Sequence, residues 1–214
     1  MEYSPREMMA IAAGRFIEDG DVLFAGTGVA MLAAAVAKRI HAPHAHIFFE
    51  TGGIGPLLEE LPMAVADPRV MAFSNLNAGL VEAFSYVANR RLHTIAFLGA
   101  AQIDRYGNMN STVIGDYHAP KVRFSGSGGG SRQRAGYRRG GPIAVVTNLC
   151  VLKFDDETHE MYLAERYDGV TPEQVQENTG FALDVSRSSV AKPPDAEELR
   201  ILRDEIDPQR LILG

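Results

Sequence analysis

Glu50 is the residue of this sequence best placed to do chemistry. It ends the apolar run His46-Ile47-Phe48-Phe49 and is followed at once by Thr51-Gly52-Gly53. Because such a run predicts a buried strand, the carboxylate would emerge at a sheet edge, where small neighbours leave room for a ligand. Glutamate in water is ionised at neutral pH and needs no helper base to act as a nucleophile. The alternative is structural: Glu50 caps the loop or accepts a bond from a backbone N–H.

A second glycine pair follows the preceding predicted strand. Gly26-Thr27-Gly28 comes directly after Val22-Leu23-Phe24-Ala25 and resembles the start of a dinucleotide fingerprint. The position of the third glycine is Met31, and the lysine of a phosphate-binding loop is missing. A nucleotide site is therefore weakly indicated, and a close turn between a strand and a helix explains the pair equally well.

The glycine-rich stretch Ser125 to Gly130 follows a further strand-like run, Lys121 to Phe124. Successive backbone N–H groups without side chains can face an anion or an oxyanion; the alternative is a flexible linker. The arginines that follow could grip phosphates, although solvated loop charge is the simpler interpretation. They are Arg132, Arg134, Arg138 and Arg139.

The histidines and the cysteine add little chemistry. His41, His44 and His46 lie close together, but their spacing matches no standard zinc pattern, and we expect no metal. Cys150 is the only cysteine and is flanked by strand-like residues, so we predict a small buried apolar side chain.

The elements that must position these residues alternate between helix and strand. Ser4, Pro5 and Glu7 predict a capped first helix that ends at Asp19-Gly20, and Thr171 with Gln174 and Asp195 with Glu198 cap two later helices. Strands alternating with helices predict an α/β fold with an open, mostly parallel sheet and flanking helices, built as a single domain over residues 1–214. The further predicted elements are helices 29–40 and 78–89, strands 94–98 and 143–147, and a hairpin of 149–154 with 161–163.

Composition excludes several classes of protein. A chain of 214 residues with 46% hydrophobic and 22% charged residues is long enough to bury a core and is not disordered. A net charge of −6 argues against a general nucleic-acid binder. No apolar run is long enough to span a bilayer, and the start of the chain has no export signal, so we expect a cytoplasmic protein without membrane contact.

The order of the loops resembles the beta subunit of class I coenzyme A transferases, most closely that of the glutaconate CoA-transferases. The similarity covers nearly the whole chain, and the motifs are specific only when taken together. The matching stretches are Ala37-Lys38-Arg39 with Ala42-Pro43, Phe49-Glu50-Thr51-Gly52, Gly99 to Thr112, Ile114 to His118, Phe124 to Gly129, Glu177 to Phe181 and Glu205-Ile206-Asp207-Pro208.

The resemblance implies a CoA-transferase-like fold and covalent catalysis. In that family a glutamate after the second strand is the nucleophile, and Glu50 stands at that place. Gly128 and Gly129 match the glycine loop that stabilises the oxyanion, and Gln102 matches a polar residue near the reacting carbonyl. Matching glycines are expected to shape the coenzyme A pocket: Gly26, Gly28, Gly52, Gly53 and Gly126.

The resemblance also implies partners. We expect an α subunit in an α2β2 or α4β4 hetero-oligomer, acyl-CoA and a free carboxylic acid as substrates, and no tightly bound cofactor. A dicarboxylate such as glutaconate is the nearest analogy for the acid, and a 3-oxo acid is the second. The alternatives are a ring-opening acyl-CoA hydrolase subunit of the same superfamily and an inactive CoA-binding subunit. A sugar-phosphate isomerase of the same fold matches the glycine loops poorly.

The chain departs from the family pattern near residues 130–132. Gly130-Ser131 runs almost directly into Arg132-Gln133-Arg134-Ala135-Gly136, whereas the family has several dozen residues there. Either the protein has a deletion beside its active site or the sequence is spliced across residues that are not in it.

Overall fold

The computed structural model describes residues 2–89, 91–124, 126 and 141–214. They form two compact units, Met1–Leu98 with Pro194–Gly214 and Gly99–Pro193. The single domain expected over residues 1–214 stays a prediction. In chain order the elements are α1 (Pro5–Gly14), β1 (Val22–Ala25), α2 (Val29–Ile40), β2 (His46–Phe48), β3 (Gly53–Ile54), a 3-10 turn (Pro68–Met71), β4 (Leu76–Asn77), α3 (Leu80–Val87), β5 (Thr94–Phe97), β6 (Val113–Gly115), β7 (Pro120–Arg123), β8 (Ala144–Val146), β9 (Cys150–Phe154), β10 (Met161–Arg166), α4 (Pro172–Glu177), β11 (Ser189–Val190), α5 (Ala196–Arg200) and a π-helical turn (Ile201–Ile206).

The sheet of the first unit has the strand order β4-β3-β2-β1-β5. Its centre is parallel: β1 pairs with β2 and with β5, and Phe24 lies opposite Phe48. β3 and β4 extend the sheet as antiparallel strands. Because β2, β1 and β5 run in the same direction, the loops that follow them all leave from one edge of the sheet.

Helix α1 begins as its sequence predicts and ends early. Ser4 and Glu7 form the capping box, with the Glu7 backbone N–H donating to Ser4 Oγ at 3.2 Å and the Ser4 N–H donating to Glu7 Oε2 at 2.7 Å. The helix ends at Gly14, five residues before the predicted end at Asp19-Gly20. A Cβ at Gly14 would lie 3.0 Å from the Ala33 carbonyl oxygen of α2. The glycine lets the two helices approach closely, and glycine is also a poor residue for continuing a helix.

The end of the chain returns to α1. Leu199, Leu202 and Ile206 are buried in the same core as α1 and α2. Glu7 accepts a bond from Arg203 Nε at 2.6 Å, and Glu198 pairs with Arg15 at 2.8 Å. Both carboxylates are buried. The two ion pairs join the first helix and the residue after its end to the last helical segment of the first unit.

The second unit is mainly antiparallel. The predicted hairpin of β9 and β10 is confirmed, β8 pairs with β9, and β11 adds a parallel edge. Strands β6 and β7 form a separate two-stranded ribbon. Helix α4 begins at the predicted capping box of Thr171 and Gln174.

The predicted α/β class is confirmed. Among the described strands, parallel pairing is confined to β2-β1-β5 and to β10-β11. The other pairs are antiparallel. Turns or short loops join β2-β3, β6-β7, β8-β9 and β9-β10, whereas the longer segment 55–75 joins β3 to β4. No helix of the described residues combines the length and the apolar character that crossing a bilayer requires.

An ion pair fastens the sheet at the edge where β1 begins. His93 Nδ1 lies 2.5 Å from Asp21 Oδ1, and the other oxygen of the buried Asp21 carboxylate accepts the Glu18 N–H at 2.8 Å. The hydrogen bond that His93 donates to the Asp21 carboxylate, together with the negative charge of that carboxylate, raises the pKa of His93 above the ordinary 6.5. Folding therefore favours the protonated imidazole.

We expect this pair to make stability depend on pH. Because the pKa of His93 is raised by folding, its contribution is complete below about 6.5 and is lost as the pH rises through the higher value of the folded state. The urea midpoint of the wild-type chain should fall between pH 6 and pH 9, and that of His93→Gln should fall less. His118→Gln, which changes an exposed histidine of the second unit, is the control. Parallel curves for wild type and His93→Gln would contradict the assignment.

Candidate active site

Glu50 lies in the tight loop of a β-hairpin. The Phe49 backbone N–H donates to the Gly53 carbonyl at 2.8 Å, and the Gly52 N–H donates to the Phe49 carbonyl at 2.9 Å. Residues 49–52 therefore form the loop between β2 and β3, and Gly52 has a φ of +110°, as the last position of such a loop favours. The glycine-rich loop predicted here is a short turn that fixes the backbone of Glu50.

Close packing excludes a side chain at positions 52 and 53, so both residues must be glycine. A Cβ on Gly52 would lie 1.8 Å from the Ala78 carbonyl oxygen, and one on Gly53 would lie 2.0 Å from the Val70 carbonyl oxygen. Both separations are far shorter than any real contact, so other residues would force the backbone apart. Both glycines were predicted to shape the coenzyme A pocket; the structure gives them a packing role beneath the turn.

Two further bonds hold the turn. The Ala78 N–H donates to the Gly52 carbonyl at 3.0 Å, and Thr51 Oγ1 donates to the Val65 carbonyl at 3.2 Å. The chain after β3 thus contacts the turn at two points. No local pattern predicts either contact, since each joins residues that are far apart along the chain.

The Glu50 carboxylate belongs to a half-buried residue. Among the described residues, none donates a hydrogen bond to it or forms an ion pair with it. The turn thus leaves the acid available for chemistry and does not use it as a cap, which was the structural alternative.

The Gly26-Thr27-Gly28 loop follows β1, the strand beside β2. Since Phe24 pairs with Phe48, this loop and the Glu50 turn leave neighbouring strand ends. Gly28 has a φ of +87° and precedes α2 without a side-chain cap. No described atom lies within 4 Å of a Cβ built on Gly26 or Gly28. The glycines leave open space beside the turn, next to the positive end of a helix dipole.

Gln102 lies in the second unit, where Asn110 holds it. Asn110 Nδ2 donates to Gln102 Oε1 at 2.8 Å and to the Val113 carbonyl at 2.7 Å. The bond uses the carbonyl end of the Gln102 side chain and leaves its NH2 group directed elsewhere. Asn110 has no role among the residues predicted for the site, although it lies within a matching motif.

Gly126 is tied to the same region. Its N–H donates to the carbonyl of Ser111, the residue after Asn110, at 3.0 Å, and its φ is +96°. The amide of Gly126 is therefore already occupied by a backbone hydrogen bond. Outside the described residues lie the predicted oxyanion glycines and the arginines that follow them: Gly128, Gly129, Arg132, Arg134, Arg138 and Arg139. That Gln102 and these glycines share a site with Glu50 stays a prediction.

The remaining candidates have structural contacts. His41 Nε2 lies 3.0 Å from the Ile17 carbonyl, and His44 Nδ1 lies 2.8 Å from Asp19. Cys150 is buried as predicted, and burial raises the pKa of its thiol.

Comparison with known proteins decides the family. The family model for coenzyme A transferases matches residues 6–132, more than half of the chain. The chain belongs to the coenzyme A transferase family. The beta subunit of glutaconate CoA-transferase from Acidaminococcus fermentans is 39% identical, with 96% of this chain and 93% of that protein covered. The crystal structure of that glutaconate coenzyme A-transferase superimposes with a TM-score of 0.93, at 37% identity, over 100% of this chain and 98% of the other.

Two more distant relatives are a second transferase subunit and a hydrolase subunit. The beta subunit of 3-oxoadipate CoA-transferase from Pseudomonas knackmussii is 32% identical over 94% of this chain and 93% of its own length. The cholesterol ring-cleaving hydrolase IpdB subunit of Mycobacterium tuberculosis is 26% identical over 96% of this chain and 95% of its own. This CoA-transferase family member is thus more similar to the transferase subunits than to the hydrolase subunit.

The alignments also bear on the length of the chain. The alignment with the glutaconate CoA-transferase relative extends over 248 positions, whereas this chain has 214 residues. The alignment therefore contains positions at which this family member has no residue. The abrupt junction near residues 130–132 predicts such a gap. That the gap lies at this junction stays a prediction.

Proposed function

We propose that this chain is the beta subunit of a two-subunit CoA-transferase in which Glu50 is the covalent nucleophile. The observation that carries the proposal is the Glu50 turn. It presents a carboxylate without a hydrogen-bond partner among the described residues, on a rigid hairpin loop beside the open Gly26-Thr27-Gly28 loop, in a chain of the coenzyme A transferase family.

The reaction proceeds in two halves. The Glu50 carboxylate attacks the thioester carbonyl of an acyl-CoA, the C–S bond breaks, and an acyl-glutamyl anhydride and the CoA thiolate result. The thiolate attacks the glutamyl carbonyl of the anhydride, releasing the first carboxylate and leaving a glutamyl-CoA thioester. The incoming carboxylate reverses these two steps and leaves as the new acyl-CoA, so that Glu50 is regenerated.

The surroundings of Glu50 suit this chemistry. Each attack builds negative charge on a carbonyl oxygen, which prearranged N–H donors stabilise. The amino end of α2 favours negative charge beside the turn. We assign the remaining donors to Gly128 and Gly129 and to the NH2 group of Gln102, and we assign the open space at Gly26 and Gly28 to coenzyme A.

The partner and substrates follow from the relatives. An α subunit completes the enzyme as an α2β2 or α4β4 assembly, and coenzyme A acts as a substrate without a tightly bound cofactor. The acid is a dicarboxylate of the glutaconate type; a 3-oxo acid is the second candidate, because the two transferase relatives are named for these classes.

The test is capture of the intermediate. The complex with the α subunit is incubated with an acyl-CoA and no acceptor acid, treated with borohydride, and digested for mass analysis. We expect a reduced peptide at Glu50, because borohydride converts a glutamyl thioester to an alcohol. An unmodified Glu50 peptide in a complex that turns over CoA would refute the assignment.

The hydrolase of the superfamily is the second candidate, because IpdB-type subunits are also relatives. Product analysis with and without an acceptor acid separates the two. Transfer requires the acceptor, whereas ring opening proceeds without it. Coenzyme A binding without turnover in the full complex would instead indicate an inactive subunit.

A further inference from the structure

The chain that follows the Glu50 hairpin exposes an unusual number of large apolar side chains. We name residues 57–82 the docking segment. Six of its large apolar side chains are exposed, by 44% to 81%; they are Leu57, Met63, Phe73, Leu76, Leu80 and Val81. In the rest of the first unit, the described residues include three others, Ile40, Leu98 and Leu211.

Phe73 combines the largest exposure of the six with a strained backbone. The residue is 81% exposed, and its backbone has a φ of +49°, a conformation that costs free energy in any residue with a Cβ. An aromatic ring held in water on a strained backbone is doubly unfavourable in the isolated chain. Strain of this kind persists where it serves binding.

The docking segment also contains an open sheet edge. β4 is the last strand of the first sheet, and both of its residues are exposed. The unpaired N–H and C=O groups of an edge strand with apolar side chains can pair with a strand of another chain. Proteins normally protect such edges with charge, proline or a covering element. Here Leu76 lies on the edge and the exposed face of α3 begins four residues later.

Acidic residues outnumber basic ones around the apolar side chains. Glu59 and Glu82 are exposed, whereas Arg69, the single basic residue of the segment, is paired with Asp67 at 2.5 Å and with Glu60 at 2.8 Å. A partner that covers this surface therefore needs an apolar centre and a basic rim.

The amount of surface fits a stable interface. Six side chains exposed to this degree present on the order of 600 Å², close to the roughly 800 Å² that each partner of a standard interface contributes.

The segment is continuous with the proposed active site. The Ala78 N–H donates to the Gly52 carbonyl, and Thr51 donates to the Val65 carbonyl, so the segment grips the Glu50 turn at two points. A chain seated on Leu76, Leu80 and Val81 would lie beside the nucleophile.

We propose that the docking segment is the surface that receives the α subunit. The identity of the partner rests on the proposed function; the position of the surface rests on the exposure, strain and charge given above. The α subunit would present an apolar patch ringed by lysine and arginine, and its arrival would close the Glu50 side of the pocket.

The test uses a matched pair of variants. Val81→Asp places a charge in the proposed surface, and Val190→Asp makes the same change at an exposed valine of the second unit, on β11. Each chain is co-expressed with a tagged CoA-transferase α subunit from the same organism, and affinity is measured by titration. We expect Val81→Asp to bind at least about 100-fold more weakly, because a carboxylate would be buried unpaired, and Val190→Asp to bind like wild type.

Phe73→Gly is the second variant. Glycine removes the ring and relieves the positive φ, so we expect an unchanged or higher melting temperature of the isolated chain together with weaker binding of the α subunit. A merely structural role for Phe73 would lower both. This variant keeps the test decisive if Val81→Asp fails to fold.

Two outcomes overturn the proposal. One is equal affinity of Val81→Asp, Val190→Asp and wild type for the α subunit. The other is a self-associated chain that Val81→Asp dissociates without loss of affinity for the α subunit, because the surface would then serve a second copy. Glu50→Gln should retain normal affinity for the α subunit, so a wrong docking surface and a wrong nucleophile give different results.

Discussion

Glu50→Gln is expected to lower the rate of CoA transfer by about 1,000-fold or more, because the amide cannot attack the thioester. The side chain keeps its size and the hairpin bonds are made by the backbone, so the fold and the complex with the α subunit should persist. The measurement is the steady-state rate of the co-purified complex with acyl-CoA and acceptor acid, alongside circular dichroism of the variant.

Glu157→Gln is the matched control for this experiment. Glu157 is an exposed glutamate in the turn between β9 and β10, and its removal should leave the rate unchanged. Glu50→Asp should also be slow, since an arm shorter by one methylene misplaces the attacking oxygen on a turn that cannot shift to compensate. Wild-type rates in Glu50→Gln would exclude Glu50 as the nucleophile.

Gly52→Ala is expected to destabilise the first unit by about 2 to 4 kcal/mol, since the methyl group is forced against the Ala78 carbonyl in a left-handed conformation. The collision pushes apart the Glu50 turn and the strand beside it, so activity should fall more steeply than stability. Urea unfolding measures the first effect, and the transfer rate under fully folded conditions measures the second.

Gly20→Ala separates strain from collision. Gly20 has a similarly positive φ of +89°, and nothing described lies within 4 Å of the position of its Cβ. Its substitution should cost only the conformational part, about 1 kcal/mol, and leave transfer unaffected. Equal losses in the two variants would show that backbone conformation, and not the close approach to Ala78, makes Gly52 necessary.

The local signals of the sequence were reliable. Ser4 with Glu7, Thr171 with Gln174 and Asp195 with Glu198 form the predicted capping boxes. These elements were predictable because a cap or a short apolar run is a property of residues three or four positions apart. The family prediction was confirmed for a different reason, since it rested on the order of many motifs along the chain.

The errors and omissions came from contacts that the sequence does not display. Helix α1 ends at Gly14, where α2 lies so close that a side chain would meet the Ala33 carbonyl, and the sequence does not display this contact. Asn110 was overlooked because it contacts Gln102 across eight residues of loop, and no local sequence pattern indicates such a contact.

The sequence by itself determined that a carboxylate follows the second strand, that glycines surround it, and that the chain is a coenzyme A transferase subunit. The tertiary structure decided what those glycines do. At Gly52 and Gly53 the space of a side chain is filled by backbone atoms of Ala78 and Val70, whereas the space beside Gly26 and Gly28 is open. A glycine looks the same in the sequence in both cases, and only the packing of distant segments reveals whether the missing side chain makes room for the protein itself or for a ligand.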